Sequence, residues 1–373
     1  MAKHKIAYLP GDGIGNDVLE AARLVLDTLR LDAEFIPGDV GWEFWCNEGN
    51  PLPERTVEML RTTDCCLFGA ITSKPSEEAA RELTPHLLGQ RYVYFSPIVK
   101  LRQMFNLHTN IRPCKAFKGN PLNHRDDIDI VVFRENTEGL YSGVELHPVP
   151  REVMTFLADY QPKARRFIHV SPEDLAISVR VFTRQACHSI VKQAFLYALK
   201  HGYRTVTVVE KANVLRMTGG LFLAEARKVA AQFPDIELWE TNVDAMCMWL
   251  VKNPQHYGVL CAGNMFGDII SDLAAQLVGG LGFASSANIG DDYALFEPTH
   301  GSAPKYAGLN KVNPMAAILS AKLMLKYLKE DDKAQVLEDA VARVIVEGKV
   351  RTYDMGGSAS TTDMAEEVAK FCR

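Results

Sequence analysis

Between Val259 and Gly280 the hydrophobic pattern changes period, and this change limits the possible folds more than any other stretch. Val259-Leu260-Cys261-Ala262 is a short unbroken apolar run, the pattern of a buried strand. Gly263 and Gly267 follow and predict a tight turn. From Asp268 the spacing becomes helical: Ile269, Leu273 and Leu277, with Ile270, Ala274 and Val278 alongside, until Gly279-Gly280 ends the helix. Asp268 and Asp272 are four residues apart, so both carboxylates sit on one face at the predicted helix start. Two like charges in an apolar segment repel unless a cation lies between them, and oxygen-only ligands suit Mg²⁺ or Mn²⁺. The spacing also fits a simpler arrangement, with Asp268 as N-cap and Asp272 solvated on the first turn. Position favours the metal, because the pair lies just past a strand end, where open α/β sheets place their ligands.

Composition narrows the function classes. At 373 residues the chain is long enough for two domains with sizeable cores. A formal net charge of −5 argues against a nucleic-acid-binding surface, so any anion site must come from local clusters of Arg and Lys. No run of 18 apolar residues occurs, so no membrane span is expected. The N-terminus enters the strand Lys5–Leu9 directly, which predicts no signal peptide. The eight cysteines are scattered without a CxxC pair, the pattern of reduced thiols in a cytoplasmic protein with no zinc site.

Along the chain, Pro10-Gly11-Asp12-Gly13-Ile14-Gly15 is a tight turn into a helix over about 16–29. Its glycines are spaced GxGxG rather than GxGxxG, so a turn needing backbone freedom fits better than a pyrophosphate loop. Strands are predicted at 33–37 and 65–69, with part of a helix at 56–61 between them. Residues 71–95 read as irregular and polar with one short helical piece, a lid or a solvated insertion. Arg102 and Arg112 follow, and a strand over 128–133 delivers Arg134. Three arginines at strand or loop ends suit a substrate with several carboxylates, because guanidinium binds carboxylate in a fork; each alone also fits a surface ion pair. Residues 144–170 read as an excursion that pairs with another subunit. A helix over 184–201, a strand over 205–210 ending at Lys211, and a loop into a helix ending near Phe233 come next. A strand over 236–240 leads to Asp244 at the start of another helix. The small residues of 296–308 could bind phosphate or adenosine, and helices over 314–328 and 334–347 close the chain.

Five stretches, taken in order, resemble the β-decarboxylating dehydrogenases, the isocitrate/isopropylmalate dehydrogenase family. They are Leu9-Pro10-Gly11-Asp12-Gly13-Ile14-Gly15, Arg134-Glu135-Asn136-Thr137-Glu138-Gly139, Lys211-Ala212-Asn213, Gly267-Asp268-Ile269-Ile270-Ser271-Asp272 and His300-Gly301-Ser302-Ala303-Pro304. The resemblance implies the family's two-domain α/β fold, which is not a Rossmann fold. A discontinuous large domain would comprise 1–106 and 280–373, and a smaller middle domain 107–279. It also implies a homodimer with shared active sites, and no nucleic-acid or membrane partner.

Carried over by position, Ser96, Arg102, Arg112 and Arg134 would hold the substrate, and Asp268 and Asp272 the Mg²⁺ or Mn²⁺, joined by Asp244 from the partner subunit. Tyr141 and the partner's Lys211 would move protons. Ile71, Thr72, His300, Gly301, Ser302, Ala303, Lys305, Tyr306, Val312, Asn313 and Tyr353 would hold the nicotinamide cofactor. These residue types suit an oxidation at a 2-hydroxyl, proton uptake by lysine, loss of CO₂ and protonation of carbon by tyrosine.

Isocitrate is the expected substrate, because 141–145, 212–217 and 303–308 look most like isocitrate dehydrogenases. Ser96-Pro97-Ile98-Val99 instead resembles homoisocitrate dehydrogenases, which keeps homoisocitrate and 3-isopropylmalate as alternatives. A non-catalytic regulatory subunit would usually have lost catalytic or metal residues, and all are present. NAD-dependent members generally carry an aspartate after Ser-Ala-Pro, where this chain has Lys305. Lys305, Val312-Asn313 and Tyr353 favour NADP, with NAD as the alternative; the arginine expected four residues after the tyrosine is Gly357.

Overall fold

The computed structural model describes residues 2–373. Its strands are β1 (His4–Gly11), β2 (Ala33–Pro37), β3 (Cys65–Ala70), β4 (Thr109–Lys115), β5 (Asp129–Glu135), β6 (Glu145–Leu146), β7 (Ile177–Ser178), β8 (Thr205–Glu210), β9 (Glu237–Asn242), β10 (Val259–Ala262), β11 (Ser285–Ile289) and β12 (Ala294–Pro298). The helices run from α1 (Gly15–Thr28), α2 (Trp42–Glu48), α3 (Glu54–Leu60) and α4 (Ser76–Arg81) to α5 (Pro97–Met104) and α6 (Arg151–Tyr160). They continue with α7 (Arg184–His201), α8 (Arg216–Ala230), α9 (Val243–Lys252), α10 (Asn264–Gln276), α11 (Met315–Tyr327), α12 (Asp331–Glu347) and α13 (Thr361–Phe371). No helix among the described residues is long and apolar enough to cross a membrane.

A ten-stranded sheet carries the fold in the order β2-β1-β3-β12-β11-β4-β5-β10-β8-β9. The strands β2, β1, β3 and β12 are mutually parallel, as are β5, β10, β8 and β9. The antiparallel pairs β12–β11, β11–β4 and β4–β5 join the two blocks, which therefore run in opposite senses. Alternate residues feed different cores, as the pleat requires. Cys65 and Leu67 pack with α1, α11, α12 and α13, whereas Cys66 and Phe68 pack on the other face. In the middle strands, Ile130, Val132, Leu260 and Ala262 meet α9 and α10, and Val131, Phe133, Val259 and Cys261 meet α7 and α8.

Several expectations change. The helix after β10 starts at Asn264, with Gly263 as N-cap, so Asp268 lies inside the helix rather than at its start. The physical reason lies at Gly267, where a Cβ would meet Arg134 Cβ and Cγ at 2.7 Å. That glycine serves close helix–strand contact, not a turn. The polar strand β11 went unpredicted because Ser286 and Asn288 are wholly buried, bonded to Asn110 and Glu297 rather than to water. A capping box, Ser360 with Asp363, starts α13, so the chain does not close with the 331–347 helix. Residues 71–95 are not simply polar: Ala79, Leu83 and Leu87 form a small core around the buried Trp45.

Candidate active site

Three buried arginines converge beneath α10: Arg102 from α5, Arg112 from β4 and Arg134 from β5. Arg134 donates through Nε and Nη2 to Asn264 Oδ1, at 3.0 and 2.7 Å, and pairs through Nη1 with Asp268. Arg112 donates to Asn110 Oδ1 at 2.9 Å and Ser271 Oγ at 2.7 Å, and lies 3.1 Å from both Asp268 and Asp272. Arg102 Nη2 donates to Glu297 Oε1 at 2.8 Å. Burial, then the charges of Arg112 and Arg102, pull the Arg134 pKa down to about 9. Guanidinium groups crowded away from water are costly unless carboxylates or an anionic ligand offset them.

The carboxylates respond in opposite directions. Burial works to raise the Asp268 pKa, but Arg134 and Arg112 outweigh it and hold the group below its ordinary value. Burial raises Asp272, opposed by Arg112 and reinforced by the Asp268 charge. The Tyr141 hydroxyl donates to Asp268 Oδ2 at 2.8 Å, and the Arg134 guanidinium sits 5.3 Å from its ring centre. Burial and then Asp268 raise the Tyr141 pKa, so its proton is retained at neutral pH.

Lys211 and Asp244 form a second group. Lys211 follows β8, and its Nζ donates to Asp244 Oδ1 at 2.5 Å, at the start of α9. Neither has a polar contact to the arginine cluster. Among the described residues, no group of three or more His, Cys, Asp or Glu side chains could by itself hold a metal ion. Asp268 and Asp272 are hard oxygen donors on one helix face and fit a divalent cation, but one chain supplies only part of a ligand set.

Residues 297–301 form the other wall. A cavity of about 180 Å³ is lined by Ile71, Ser73, Ile98, Arg102, Arg112 and His300, among others. Arg102 Nε, Thr299 Oγ1 and His300 Nε2 are buried without a hydrogen-bond partner, and all three residues line this cavity. Orphaned polar atoms around one cavity fit a site that takes a polar ligand or water. Burial lowers the His300 pKa, which keeps its imidazole neutral. Ile98 faces the cavity, whereas Ser96 caps α5 outside its lining.

The turn after β1 is clamped by its neighbours. Ile14 N donates to Ser302 O at 2.9 Å, and a Cβ on Gly13, where φ is +56°, would lie 2.1 Å from that oxygen. Asp12 accepts from Trp42 N at 2.6 Å and Thr72 N at 2.7 Å, and the Thr72 and Ser302 hydroxyls lie 2.6 Å apart. The turn therefore positions Ile71, Thr72, Gly301 and Ser302 together. Beyond it, Ala303 takes a left-handed conformation, Lys305 is exposed, and Tyr306 stacks on Tyr353. Val312 and Asn313 are buried, with Asn313 Nδ2 donating to Asp354 at 3.0 Å.

Sequence reasoning passed over Asn264, Ser271, Asn110, Glu297 and Asp12, which hold the arginines and loops in place. For Asn110, Glu297 and Asp12 the available signal was a polar side chain inside a strand or at its end; Asn264 and Ser271 lie on α10 and carried none.

Comparison with known proteins shows the family of the chain. A family model described as isocitrate/isopropylmalate dehydrogenase matches residues 5–368. The chain is 42% identical over 370 residues to a 3-isopropylmalate dehydrogenase of Methanothermobacter thermautotrophicus, covering 99% of each. It is 40% identical to protein DlpA of Legionella pneumophila, with 99% of this chain covered but only 58% of that longer protein. A crystal structure of isocitrate dehydrogenase from Methylococcus capsulatus superimposes with a TM-score of 0.86 at 37% identity, covering 99% of both chains. The relatives' names span 3-isopropylmalate, homoisocitrate and isocitrate dehydrogenases.

Proposed function

The chain belongs to the isocitrate/isopropylmalate dehydrogenase family, and within it we propose an isocitrate dehydrogenase that oxidatively decarboxylates its substrate with NADP. One observation carries the anionic-substrate reading: two buried arginines, Arg102 and Arg112, line a cavity where Arg102 Nε has no partner, and a third, Arg134, is close enough to feel both charges. A substrate with three carboxylates would supply the missing charge and acceptors.

Arg102, Arg112 and Arg134 bind and orient the carboxylates, and Asn264, Ser271 and Glu297 keep the guanidinium planes fixed. Tyr141 holds its proton, as its raised pKa requires, and gives it to carbon after CO₂ leaves. Lys211 of a second copy takes the 2-hydroxyl proton. When bound, a divalent metal between the carboxylates would polarise the 2-hydroxyl, and the nicotinamide would accept hydride. Asp268, Asp272 and Asp244 of the partner subunit would hold that metal.

Two observations support sites shared between copies. Lys211 and Asp244 bond to each other and make no polar contact to the residues they would serve. Their segments also expose Val214, Met217, Met248 and Val251, apolar surface of the kind an interface covers. NADP is supported by Lys305, which can pair with a phosphate but cannot accept a bond from a ribose hydroxyl.

The Ile98 side chain favours a second reading, because an apolar wall suits a longer or apolar substrate arm, as in homoisocitrate or 3-isopropylmalate. The test is a panel of isocitrate, homoisocitrate, 3-isopropylmalate and malate, with both nicotinamide cofactors and Mg²⁺ or Mn²⁺. Isocitrate with NADP should give the highest kcat/KM. A higher value with either alternative substrate refutes the isocitrate assignment.

A further inference from the structure

The rings of Tyr306 and Tyr353 lie 5.8 Å apart, centre to centre, with planes 20° from parallel. Two lysines belong to the segments that carry the pair. Lys305 precedes Tyr306 on the Pro304–Tyr306 turn, and Lys311 places Nζ 5.0 Å from the centre of the Tyr353 ring. Both lysines are exposed, and among the described residues neither has a carboxylate within 4.0 Å. Asp354, the neighbouring acid, is already engaged by Thr352 Oγ1 at 2.5 Å and Asn313 Nδ2 at 3.0 Å. The result is an aromatic pair with one ammonium group over the Tyr353 ring and a second lysine next to Tyr306 in the chain, neither with a counter-charge.

The 352–359 loop explains why the second cation comes from residue 311. Gly357 N donates to Thr352 O at 2.9 Å and Ala359 N to Arg351 O at 2.9 Å, folding the loop back on itself. A Cβ at Gly357 would lie 2.1 Å from the Arg351 carbonyl oxygen. No side chain, basic or otherwise, can project from 357 on this backbone. The cation–π contact with Tyr353 instead holds the Lys311 ammonium at the pair.

We infer that Lys311 is a cofactor-specificity residue, which binds, together with Lys305, the 2′-phosphate of a phosphorylated adenosine ribose beside Tyr353. This rests on the NADP reading and extends it to a residue outside the expected cofactor set. A phosphate dianion can take charge-assisted bonds from both ammonium groups, whereas an unmodified ribose offers neither the charge nor the oxygens. Lys311 should therefore act on the choice between cofactors and leave the shared adenosine contacts alone.

Calorimetric titration of 2′,5′-ADP and 5′-AMP tests this without turnover, alongside NADP-to-NAD ratios of kcat/KM. The wild-type chain should bind 2′,5′-ADP more tightly than 5′-AMP. Lys311→Ala should cut that preference about tenfold, as loss of one charge-assisted bond implies, while 5′-AMP affinity stays within about twofold. Lys311→Arg should retain the preference. If Lys311→Ala leaves the preference intact while Lys305→Ala removes it, the Lys311 assignment is overturned and the NADP reading stands. If the wild-type chain shows no preference, the NADP reading fails and takes this inference with it.

Discussion

Replacing Gly267 with alanine sets two physical effects against each other. Gly267 lies within α10, and helix propensity alone makes Gly→Ala favourable there by about 1 kcal/mol. The packing predicts the reverse. The new Cβ would lie 2.7 Å from Arg134 Cβ and Cγ and 3.2 Å from Arg134 Cα. Carbon atoms rest at about 3.5–4.0 Å, so α10 and β5 must separate by roughly 1 Å. Arg134 cannot swing aside, because its Cβ is set by the strand and its guanidinium is held by Asn264 and Asp268. Overpacking of this kind costs about 1–3 kcal/mol, and the upper half of that range applies to a contact so near the backbone. Net of the helix gain, Gly267→Ala should destabilise the chain by about 1–2 kcal/mol. The shift also moves Asp268 against Arg134 and Arg112, so kcat/KM should fall by about 10–100-fold. Urea denaturation gives the first quantity from the midpoint at unchanged slope, and steady-state kinetics the second. A midpoint that rises, with kcat/KM unaltered, would refute the close packing of α10 on Arg134.

Asp268→Asn should lower kcat on the order of 10³-fold, and excess chelator should abolish wild-type turnover; full activity in chelator would exclude the metal role. Tyr141→Phe and Lys211→Met should each be nearly inactive, and co-refolding them should restore part of the activity. Verified subunit exchange without recovery would count against shared sites. Glu225 is held at about 2 instead of 4.5, chiefly by its hydrogen bond from Lys228, with Arg184 adding to it against burial. A depressed carboxylate stabilises the fold fully above its unfolded pKa and loses that contribution as pH falls toward the folded value. The melting temperature should therefore drop between about pH 4.5 and 2, less steeply in Glu225→Gln, and parallel curves would disprove the linkage.

The family and most of its regular elements were legible in the chain itself. Residues 184–201 and 205–210 are helix and strand with the bounds their periodicity predicts, because their apolar residues meet a core on one stripe or both faces. Likewise, GxGxG spacing pointed to a turn that needs glycine, and a Cβ on Gly13 would meet the Ser302 carbonyl oxygen at 2.1 Å. The strand Ser285–Ile289 was hidden because its buried side chains are polar, and hydropathy registers burial only through apolar atoms. A chain of hydrogen bonds from Asn110 through Asn288 to Glu297 satisfies them, and its partners are far apart in sequence. Arg102, Arg112 and Arg134 could each be named from sequence as a possible carboxylate ligand. Their convergence, the depressed pKa of Arg134 and the role of Gly267 exist only where β4, β5 and α10 meet, because Coulomb and contact forces act through space and not along the chain. The same holds for the pairing of Lys211 with Asp244 and of Arg134 with Asp268, contacts between residues far apart in the chain.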